Sequence, residues 1–453
     1  MLNLRLGEIA VWTRGRLIGS DSVVHGVTTD TRTVREGDLF VALKGARVDA
    51  HEFLDAAREA GAAAALVERK VDVPLAQIVV ADTERALGDL ASAVRARSEA
   101  CVVGITGSNG KTTVKTLTAS ILALHGATHW TQGNFNNEIG LPLTLLSLPP
   151  DTRYVVLEMG AGKPGDIAYL AGIARPQVAL VNNVAPAHLE RMRSLAGIAE
   201  TKGALYEALP EDGVAIINGE DDFASLFTGL AGARRTLCFG FSSRFDVWAD
   251  ALELATHSQF RLHTPQGDVD VALPLAGRHN VSNALAAAAI ALALAVPLAT
   301  IRRGLEAAPG VAGRLARRES EAGWTLIDDS YNANPGSAAA AIDTLVLQPG
   351  EPWLVLGDMK ELGDDAAALH ARIGAHARDA GVRRLYATGA LSLAAVEAFG
   401  EGARHYADQH ALIAALRADL RTGVCCLVKG SRSSAMDRVV AALLDAKGDA
   451  HVA

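Results

Sequence analysis

The chain has 453 residues, a formal net charge of -8, and 49% hydrophobic but only 5% aromatic residues. This length exceeds one ordinary hydrophobic core and favours three domains, while the Ala/Val/Leu-rich composition is typical of layered α/β proteins. The acidic balance argues against a general nucleic-acid or membrane surface, although a few local Lys and Arg residues can still hold an anionic ligand.

The sequence also bears on the cellular location of the chain. It does not open with a basic segment followed by an apolar stretch, so nothing indicates export and we expect a cytoplasmic location. The longest strongly apolar run, residues 284–296, is too short to span a bilayer and predicts a buried helix instead of membrane insertion. Cys101, Cys238, Cys425 and Cys426 lack metal-ligand spacing and are interpreted as buried, reduced thiols.

Strand-like and helix-like runs alternate along the chain, which favours parallel sheets covered by helices. The predicted strands are 38–43 and 64–67 in a first block, 101–103, 154–158, 178–182 and 214–218 in a second, and 325–328, 353–357, 385–388 and 425–429 in a third. The third block resembles a dinucleotide fold without its glycine fingerprint. We expect an N-terminal domain over 1–97, a central domain over 98–312 and a C-terminal domain over 313–453.

The most informative segment is GITGSNGKTT, Gly104–Thr113, which lies between a predicted strand and a predicted helix. Its glycines allow successive backbone N–H groups to converge on phosphate oxygens at a helix N-terminus. Lys111 would reach the terminal phosphates, and Thr112 or Thr113 would supply a hydroxyl to a phosphate-bound Mg²⁺. The segment therefore predicts use of ATP or GTP; the alternative is a glycine-rich turn that binds nothing.

Two polar side chains follow later strands of the central block. Glu158 ends a buried strand, where open α/β sheets hold their ligands, and is a candidate direct or water-mediated Mg²⁺ ligand. His188 lies just beyond the turn signalled by Pro186. A solvated carboxylate and a structural or exposed histidine are the alternatives for these two residues.

The phosphate loop departs from the strict P-loop spacing, because five residues instead of four separate Gly104 from Gly110. This variant resembles the loop of the Mur ligases and folylpolyglutamate synthetases, which use ATP to join a carboxylate to an amine. Further segments resemble Mur ligase motifs: GNFNNEIGLPLTLL (133–146), LEMGAG (157–162), VNNVAPAHLE (181–190), GRHNVSNALAA (277–287), DDSYNANPGS (328–337), VLGDMKELG (355–363) and LVKGSRS (427–433). NFNNEIGLPLTLL together with SYNANP resembles the members that join D-alanyl-D-alanine to a UDP-N-acetylmuramoyl-tripeptide.

This resemblance implies roles for residues of the central and C-terminal blocks. The implied ATP-binding residues are Gly107, Ser108, Asn109, Gly110, Lys111, Thr112, Thr113, Asn280 and Arg314, with His279 and Asn283 supporting Asn280. The implied Mg²⁺ positions, for two ions, are Thr112, Glu158, His188 and Lys202. The implied substrate-binding residues here are Asn134, Asn137, Asp329, Tyr331, Asn332 and Asn334. For the last of these a tight Asn-Pro turn is the alternative.

Lys202 matches a lysine that is usually carbamylated in this family. An unmodified ammonium would be repelled by two cations, whereas a carbamate offers them an anionic oxygen. With Lys111, His188 and Glu158, the resemblance makes Lys202 one of four catalytic candidates. The alternative is an ordinary surface lysine on a helix.

The N-terminal block resembles the uridine-diphosphate-binding domain of these ligases less closely. The implied contacts are Thr31, Arg32, Lys44, Asp49 and His51. Ala50 stands where the family usually has Gly, which requires a negative φ or tolerated strain there. Residues 191–193, Arg-Met-Arg, replace a usual Gly-Phe-Gly, and so put substrate contacts around that loop in doubt.

The implied enzyme is a monomeric, ATP-dependent ligase that phosphorylates the tripeptide carboxylate and lets the amine of D-alanyl-D-alanine attack the acyl phosphate. A sister amide ligase acting on folate or an earlier muramoyl peptide is the enzyme alternative. A nucleotide-gated binding protein is the non-enzyme alternative; it would keep the phosphate loop but lose the Mg²⁺ and acceptor-site groups. Glu158, His188 and Lys202 are all present.

Overall fold

The computed structural model describes residues 3–45, 47–186 and 189–445. Within these residues, three main β-sheets with packed helices follow one another along the chain. The predicted three-domain α/β class is confirmed. No helix in the described ranges has the length and apolar character needed to cross a membrane.

The first sheet is N-terminal and mostly parallel. Its chain segment contains strands β1 (Leu4–Arg5), β2 (Arg16–Ile18), β3 (Val23–Val24), β4 (Gly26–Thr28), β5 (Asp38–Val41), β6 (Ala64–Val67) and β7 (Ala76–Val79) and helices α1 (Leu6–Trp12), α2 (Leu54–Glu59) and α3 (Thr83–Ala96). The strand order is β2-β7-β6-β5-β4, and β1 pairs with β3 alongside. The predicted helix over 53–60 is confirmed as α2, preceded by a 3₁₀ turn at Ala50–Phe53.

The second sheet carries the glycine-rich loop. Its strands are β8 (Cys101–Thr106), β9 (Thr128–Trp130), β10 (Tyr154–Glu158), β11 (Val178–Val181), β12 (Val214–Asn218), β13 (Arg235–Gly240), β14 (Val247–Leu254), β15 (Ser258–Thr264) and β16 (Gly267–Leu273). Its helices are α4 (Lys111–Ala123), α5 (Gly140–Leu146), α6 (Asp166–Ala174), α7 (Leu189–Met192), α8 (Leu195–Glu207), α9 (Ala224–Ala231), α10 (Arg278–Ala293) and α11 (Leu298–Glu306).

The order of this sheet, β16-β15-β14-β13-β12-β11-β8-β10-β9, places β8 between β10 and β11. All three strands are parallel, so their carboxyl ends meet at one edge. The chain leaves β8 towards β10 and later returns to β11 on its other side, which makes the end of β8 a topological switch point. Open α/β sheets bind ligands in the crevice at such a point.

From Ala284 onward, helix α10 is apolar on all sides, and the helix packs on this sheet beside α4. Residues 284–291 are completely buried, as the composition of the run predicts. The antiparallel extension β14-β15-β16 was not predicted, although Phe260, Leu262, Val271 and Leu273 are buried in an alternating pattern typical of half-buried strands.

The third sheet is C-terminal. Its strands are β17 (Ala316–Glu319), β18 (Thr325–Asp329), β19 (Glu351–Gly357), β20 (Arg384–Thr388), β21 (Ala403–Tyr406) and β22 (Val424–Lys429), and its helices are α12 (Pro335–Leu345), α13 (Ala366–Ala380), α14 (Leu393–Phe399), α15 (Gln409–Asp419) and α16 (Asp437–Leu444). The order is β17-β18-β22-β19-β20-β21, parallel except for β17. Strand β22, the last strand in the described part of the chain, therefore lies between β18 and β19.

Cysteines are free in the residues that the structure describes. Cys425 and Cys426 are buried as predicted, whereas Cys101 and Cys238 are only half-buried. Burial raises the pKa of each thiol. The predicted domain boundaries at 97/98 and 312/313 lie in the connections from α3 to β8 and from α11 to β17.

Candidate active site

The glycine-rich loop turns tightly from β8 into α4. Gly110 precedes the first helical residue with φ +80°, and Gly107 has φ +151°. A Cβ on Gly110 would lie 2.4 Å from Asn283 Oδ1 and 2.5 Å from Asn182 Nδ2, so the position has no space for a side chain. Lys111 Nζ donates to the Gly107 carbonyl at 2.7 Å, which folds the lysine back over the loop. Burial lowers the pKa of Lys111, and Glu158 nearby opposes that shift.

A network of asparagines holds the loop from the side of β11 and α10. Asn182 Nδ2 donates to the Asn109 carbonyl at 2.9 Å and to Asn283 Oδ1 at 3.0 Å. The backbone N–H of Asn109 donates to Asn183 Oδ1 at 2.8 Å. Asn283 in turn donates to Asn280 Oδ1 at 3.1 Å. The network fixes the loop backbone before any ligand enters.

The carboxylate of Glu158 lies against the first turn of α4. Its Oε2 accepts from the Thr112 hydroxyl at 2.9 Å, and its Oε1 accepts from Asn136 Nδ2 at 2.8 Å. Lys115 Nζ is 3.7 Å from the same carboxylate and also donates to the Gly133 carbonyl at 3.3 Å. Glu158 is 3% exposed, so a buried carboxylate and a hydroxyl stand side by side next to the phosphate loop.

This donor set fits Mg²⁺, which prefers hard oxygen ligands and takes most of them from phosphates and water. Groups of three or more His, Cys, Asp or Glu side chains suited to a metal are absent from the part of the chain that the structure describes. His188, the other predicted Mg²⁺ residue, lies outside the described residues. A cation here would therefore depend on oxygens that ATP itself brings.

Among the described residues, two hydrogen bonds connect the C-terminal domain to the phosphate loop. Arg314 Nη2 donates to the Thr112 hydroxyl at 2.9 Å, while its guanidinium lies 4.5 Å from the centre of the Tyr331 ring. Asn334 Nδ2 donates to Asn109 Oδ1 at 2.7 Å. Asn334 also caps α12 through Oδ1, so the Asn-Pro turn and the contact with the loop coexist in one residue.

These elements enclose a cavity of about 680 Å³ between the central and C-terminal domains. Most of the predicted site residues line it: Gly107, Ser108, Asn109, Gly110, Lys111, Thr113, Asn137, Glu158, Lys202, Asn280, Arg314, Asp329, Tyr331, Asn332 and Asn334. Thr112 contacts two of these lining residues through its hydroxyl. The exposed Asn134 is not part of the lining.

Lys202 lies on the buried side of α8 and is 3% exposed, so it is not the surface lysine of the alternative interpretation. Burial, with the Lys111 cation as a smaller cause, lowers the pKa of Lys202 to about 7. Its ammonium has no hydrogen-bonding or carboxylate partner among the described residues. A group of this kind has a large neutral fraction near neutral pH.

The far wall of the cavity contains a second buried lysine, which the sequence interpretation missed. Lys429 at the end of β22 pairs with Asp329 at the end of β18. His279, at the start of α10, is half-buried nearby, and desolvation together with repulsion from Lys429 lowers the pKa of His279 to about 4. This wall therefore combines an ion pair with a neutral imidazole.

The predicted N-terminal contacts lie outside the cavity. Arg32 is exposed and pairs with Asp30, whose pKa it lowers to about 2; Thr31 is half-buried and Lys44 exposed. His51 is buried: its Nδ1 lies 2.6 Å from Asp49 Oδ1, and its Nε2 accepts from the Glu68 N–H at 2.8 Å. Ala50 is not among the residues with positive φ, which meets the condition set by the missing glycine.

Several residues of the site were not predicted as such. Asn136, Lys115, Asn182 and Lys429 each make a contact that shapes the cavity. The resemblance implies a substrate contact for Asn137, whose Oδ1 accepts from the Gly140 N–H at 2.9 Å in the structure. The neighbouring Asn136 contacts Glu158 instead. In the Arg-Met-Arg segment, residues 191–193, Arg191 lines the cavity and Arg193 has φ +68°.

The glycine-rich loop lies at the switch point of the second sheet, and loops of the third sheet close over it. This arrangement defines a nucleotide-binding α/β protein of the P-loop type. Family models match in three successive parts: "Mur ligase family, catalytic domain" at 23–96, "Mur ligase middle domain" at 105–291 and "Mur ligase, glutamate ligase domain" at 313–432. The chain belongs to the Mur ligase family.

Individual relatives match over nearly the whole length. The UDP-N-acetylmuramoyl-tripeptide–D-alanyl-D-alanine ligase of Escherichia coli K12 is 45% identical over 447 residues, covering 98% of this chain and 99% of that protein. A MurF crystal structure from Acinetobacter baumannii has a TM-score of 0.93 at 37% identity, covering 98% and 99%. A MurF ligase from Thermotoga maritima, solved in complex with ADP, has a TM-score of 0.83 at 29% identity, covering 93% and 97%.

Proposed function

We propose that this chain uses ATP to join D-alanyl-D-alanine to UDP-N-acetylmuramoyl-tripeptide, giving UDP-N-acetylmuramoyl-pentapeptide. The observation that carries the proposal is the 45% identity to the Escherichia coli ligase over 98% of this chain. The ADP complex of the Thermotoga maritima relative supports ATP as the nucleotide. The cavity beside the phosphate loop, which is lined by Lys111, Glu158 and Arg314, offers charged groups for such a reaction.

In the first step, an oxygen of the tripeptide carboxylate attacks the γ-phosphorus of ATP, the bond from that phosphorus to the bridging β,γ-oxygen breaks, and ADP leaves. Charge is spread over the transferring phosphoryl oxygens, so positioned cations are the main stabilisers. Lys111 in the loop and Arg314 from the C-terminal domain are the two cations that supply this role. Ser108, Asn109, Gly110, Thr112 and Thr113 would hold the phosphates, and Asn280 the base and ribose end.

In the second step, the free amine of D-alanyl-D-alanine attacks the acyl carbon. The tetrahedral intermediate collapses, the bond between carbon and the phosphate oxygen breaks, and the departing phosphate takes up the amine proton. Since an acyl phosphate hydrolyses in water, contacts that close the C-terminal domain over the loop protect it. Asp329, Tyr331, Asn332 and Asn334 lie on that closing side, where we place the acceptor.

We assign the Mg²⁺ site to Thr112, Glu158, His188 and Lys202, with two ions as the expected number. When bound, Mg²⁺ neutralises charge on the phosphate oxygens. Carbamylation of Lys202 combines its neutral amine with CO₂ and releases one proton, which gives a buried anionic oxygen ligand. Its burial and the lack of a carboxylate partner among the described residues support this modification.

The remaining assignments follow from the substrates. Thr31, Arg32, Lys44, Asp49 and His51 belong to the N-terminal domain, over 1–97, which would hold the uridine diphosphate end. Asn134 and Asn137 would approach the peptide. We place the enzyme in the cytoplasm, as a monomer in peptidoglycan synthesis, and hence in cell shape and division.

The test is ligation by the purified chain with ATP, Mg²⁺ and tripeptide, with and without D-alanyl-D-alanine. The expected result is acceptor-dependent phosphate release and a product with the pentapeptide mass. ¹⁸O in the terminal tripeptide carboxylate should appear in the released phosphate. Product formation only with an earlier muramoyl peptide or a folate would assign the chain to a sister ligase instead, and unlabelled phosphate would exclude the acyl phosphate.

A further inference from the structure

A buried ion pair joins the ends of two neighbouring strands on the C-terminal side of the cavity. Asp329 and Lys429, the last residues of β18 and β22, are register partners, and Lys429 Nζ lies 2.5 Å from Asp329 Oδ2. Lys429 is 2% and Asp329 9% exposed. Burial raises the pKa of Asp329, while Lys429 opposes that shift. The two side chains therefore form a short, buried contact that ties the ends of these strands together.

The second oxygen of Asp329 holds the turn that carries Arg314. Asp329 Oδ1 accepts from the backbone N–H of Leu315 at 3.2 Å. Leu315 has φ +52°, a left-handed conformation that a branched side chain adopts only when its surroundings impose it. The neighbouring Gly313 carbonyl accepts from the Tyr331 N–H at 3.1 Å. The Asp329 carboxylate therefore stabilises a strained turn, and this turn positions Arg314 for its hydrogen bond to Thr112.

The Lys429 ammonium also contacts a second segment, the turn that leads to Asn334. Lys429 Nζ donates to the Asn332 carbonyl at 3.0 Å, two residues before Asn334. Asn334 makes the other hydrogen bond from the C-terminal domain to the phosphate loop, at Asn109. The Lys429 side chain therefore contacts the supports of both described hydrogen bonds from the C-terminal domain to the phosphate loop.

We infer that Lys429 is a positioning residue, which sets Arg314 through Asp329 and Asn334 through Asn332, and so determines how the C-terminal domain meets the phosphate loop. A buried ion pair contributes little net stability compared with a well-packed apolar pair, so its value here is geometric. The catalytic consequence of this inference rests on the proposed function, because Arg314 is assigned there to the transferring phosphate.

A double-mutant cycle tests this coupling. Lys429→Met, Arg314→Ala and the double variant are compared with the wild-type chain in kcat/KM for ATP and in ADP affinity by calorimetry. When two residues act through one network, the fold-loss of activity in the double variant is smaller than the product of the fold-losses in the two single variants. We expect each single variant to lose at least about tenfold in kcat/KM, and the double variant to fall within about threefold of the worse single one.

Arg421→Met is the matched control. Arg421 pairs with Glu351 near the opposite end of β22, so its loss should simply multiply with that of Arg314→Ala. The inference would be overturned if the fold-losses of the Lys429 and Arg314 variants simply multiplied in the double variant, both in kcat/KM for ATP and in ADP affinity. The ADP measurement needs no ligation, so a failure of the proposed reaction is distinguishable from a failure of this coupling.

Circular dichroism and thermal melting of each variant accompany the cycle, and Lys429→Gln is the second variant if Lys429→Met does not fold. Gln retains a hydrogen-bond donor without the charge. A folded Lys429→Gln chain with the same non-multiplying loss supports the positioning role. If both variants are unfolded, Lys429 is required for the domain itself and the positioning role is overturned.

Discussion

At the scale of single residues, Lys111 is the cation placed over the phosphate loop by its bond to the Gly107 carbonyl. Removing one preorganised electrostatic stabiliser commonly costs a hundredfold or more in turnover. Lys111→Ala should therefore lower kcat at least about a hundredfold while the chain stays folded. The exposed Lys70→Ala is the control and should keep full turnover. Near-normal ligation by folded Lys111→Ala would remove this loop from the reaction.

Lys202 should act as a carbamate. Lys202→Ala should lose most activity, because it removes the anionic group proposed for the second Mg²⁺. Acetate or formate should restore part of it, since a small carboxylate fits the space left, whereas chloride at equal ionic strength should not. The direct measurement is ¹³C NMR of active enzyme in labelled bicarbonate, where a carbamate signal is expected. An enzyme at full rate without CO₂ and with an unmodified Lys202 contradicts the proposal.

His279 should make the folded state sensitive to mild acid. Its pKa is about 4 in the folded chain, against an ordinary value of 6.5, so the unfolded chain binds the extra proton first as the pH falls. Stability is therefore lost between pH 6.5 and 4, by about 2 kcal/mol between pH 7 and 5.

Urea unfolding at pH 7 and pH 5 measures this effect. His279→Gln cannot take up the proton, so its pH-dependent loss should be smaller by that amount. The exposed His410→Gln is the control and should behave like the wild-type chain. Equal pH dependence in the wild-type chain and His279→Gln would contradict the lowered pKa of this half-buried imidazole.

At the scale of elements, the turn from β8 into α4 depends on the absence of a side chain at Gly110. Gly110→Ala adds a Cβ only 2.4 Å from Asn283 Oδ1, in addition to the left-handed backbone. Gly165 has a similar φ of +90° before α6, but no atom lies within 4 Å of its Cβ position. Both substitutions should cost about 1–2 kcal/mol of backbone strain. Only Gly110→Ala should weaken ADP binding, by at least about tenfold in calorimetry.

An equal loss of ADP affinity in Gly165→Ala would mean that helix-start strain alone, and not the crowding by Asn283 and Asn182, is responsible.

At the scale of the whole molecule, Arg95 fastens the N-terminal domain to the central one. It is 5% exposed and donates to the carbonyls of Ala174 and Arg175, at the C-terminal end of α6. It also donates to the Ser98 carbonyl and Gln177 Oε1. Arg95→Met should cost about 3 kcal/mol in urea unfolding, because buried acceptors lose a charged partner.

Arg97→Met is the control for this substitution. Arg97 is about half exposed and pairs with Glu8 at 3.1 Å, so its loss should stay below about 1 kcal/mol. Similar costs for the two variants would contradict a special role for Arg95 between the domains.

Much of the molecule follows from local pattern. The strands at Ala64–Val67, Tyr154–Glu158 and Val214–Asn218 have the predicted bounds, because apolar runs end where polar or glycine residues begin. The phosphate loop was readable for the same reason: its glycines, Lys111 and the two threonines are contiguous. The hairpin strands β15 and β16 were missed despite their alternating pattern.

The sequence by itself determined the domain class, the position of the glycine-rich loop between strand and helix, and the family to which the chain belongs, because contiguous residues carry these signals. Only the tertiary structure decided that Lys429 pairs with Asp329, that Asn182 meets Asn283, and that Lys202 is buried. The first two pairs are 100 and 101 residues apart, so sheet order and helix packing bring them together. Spacing along a chain contains no record of such contacts, since they depend on which strands become neighbours.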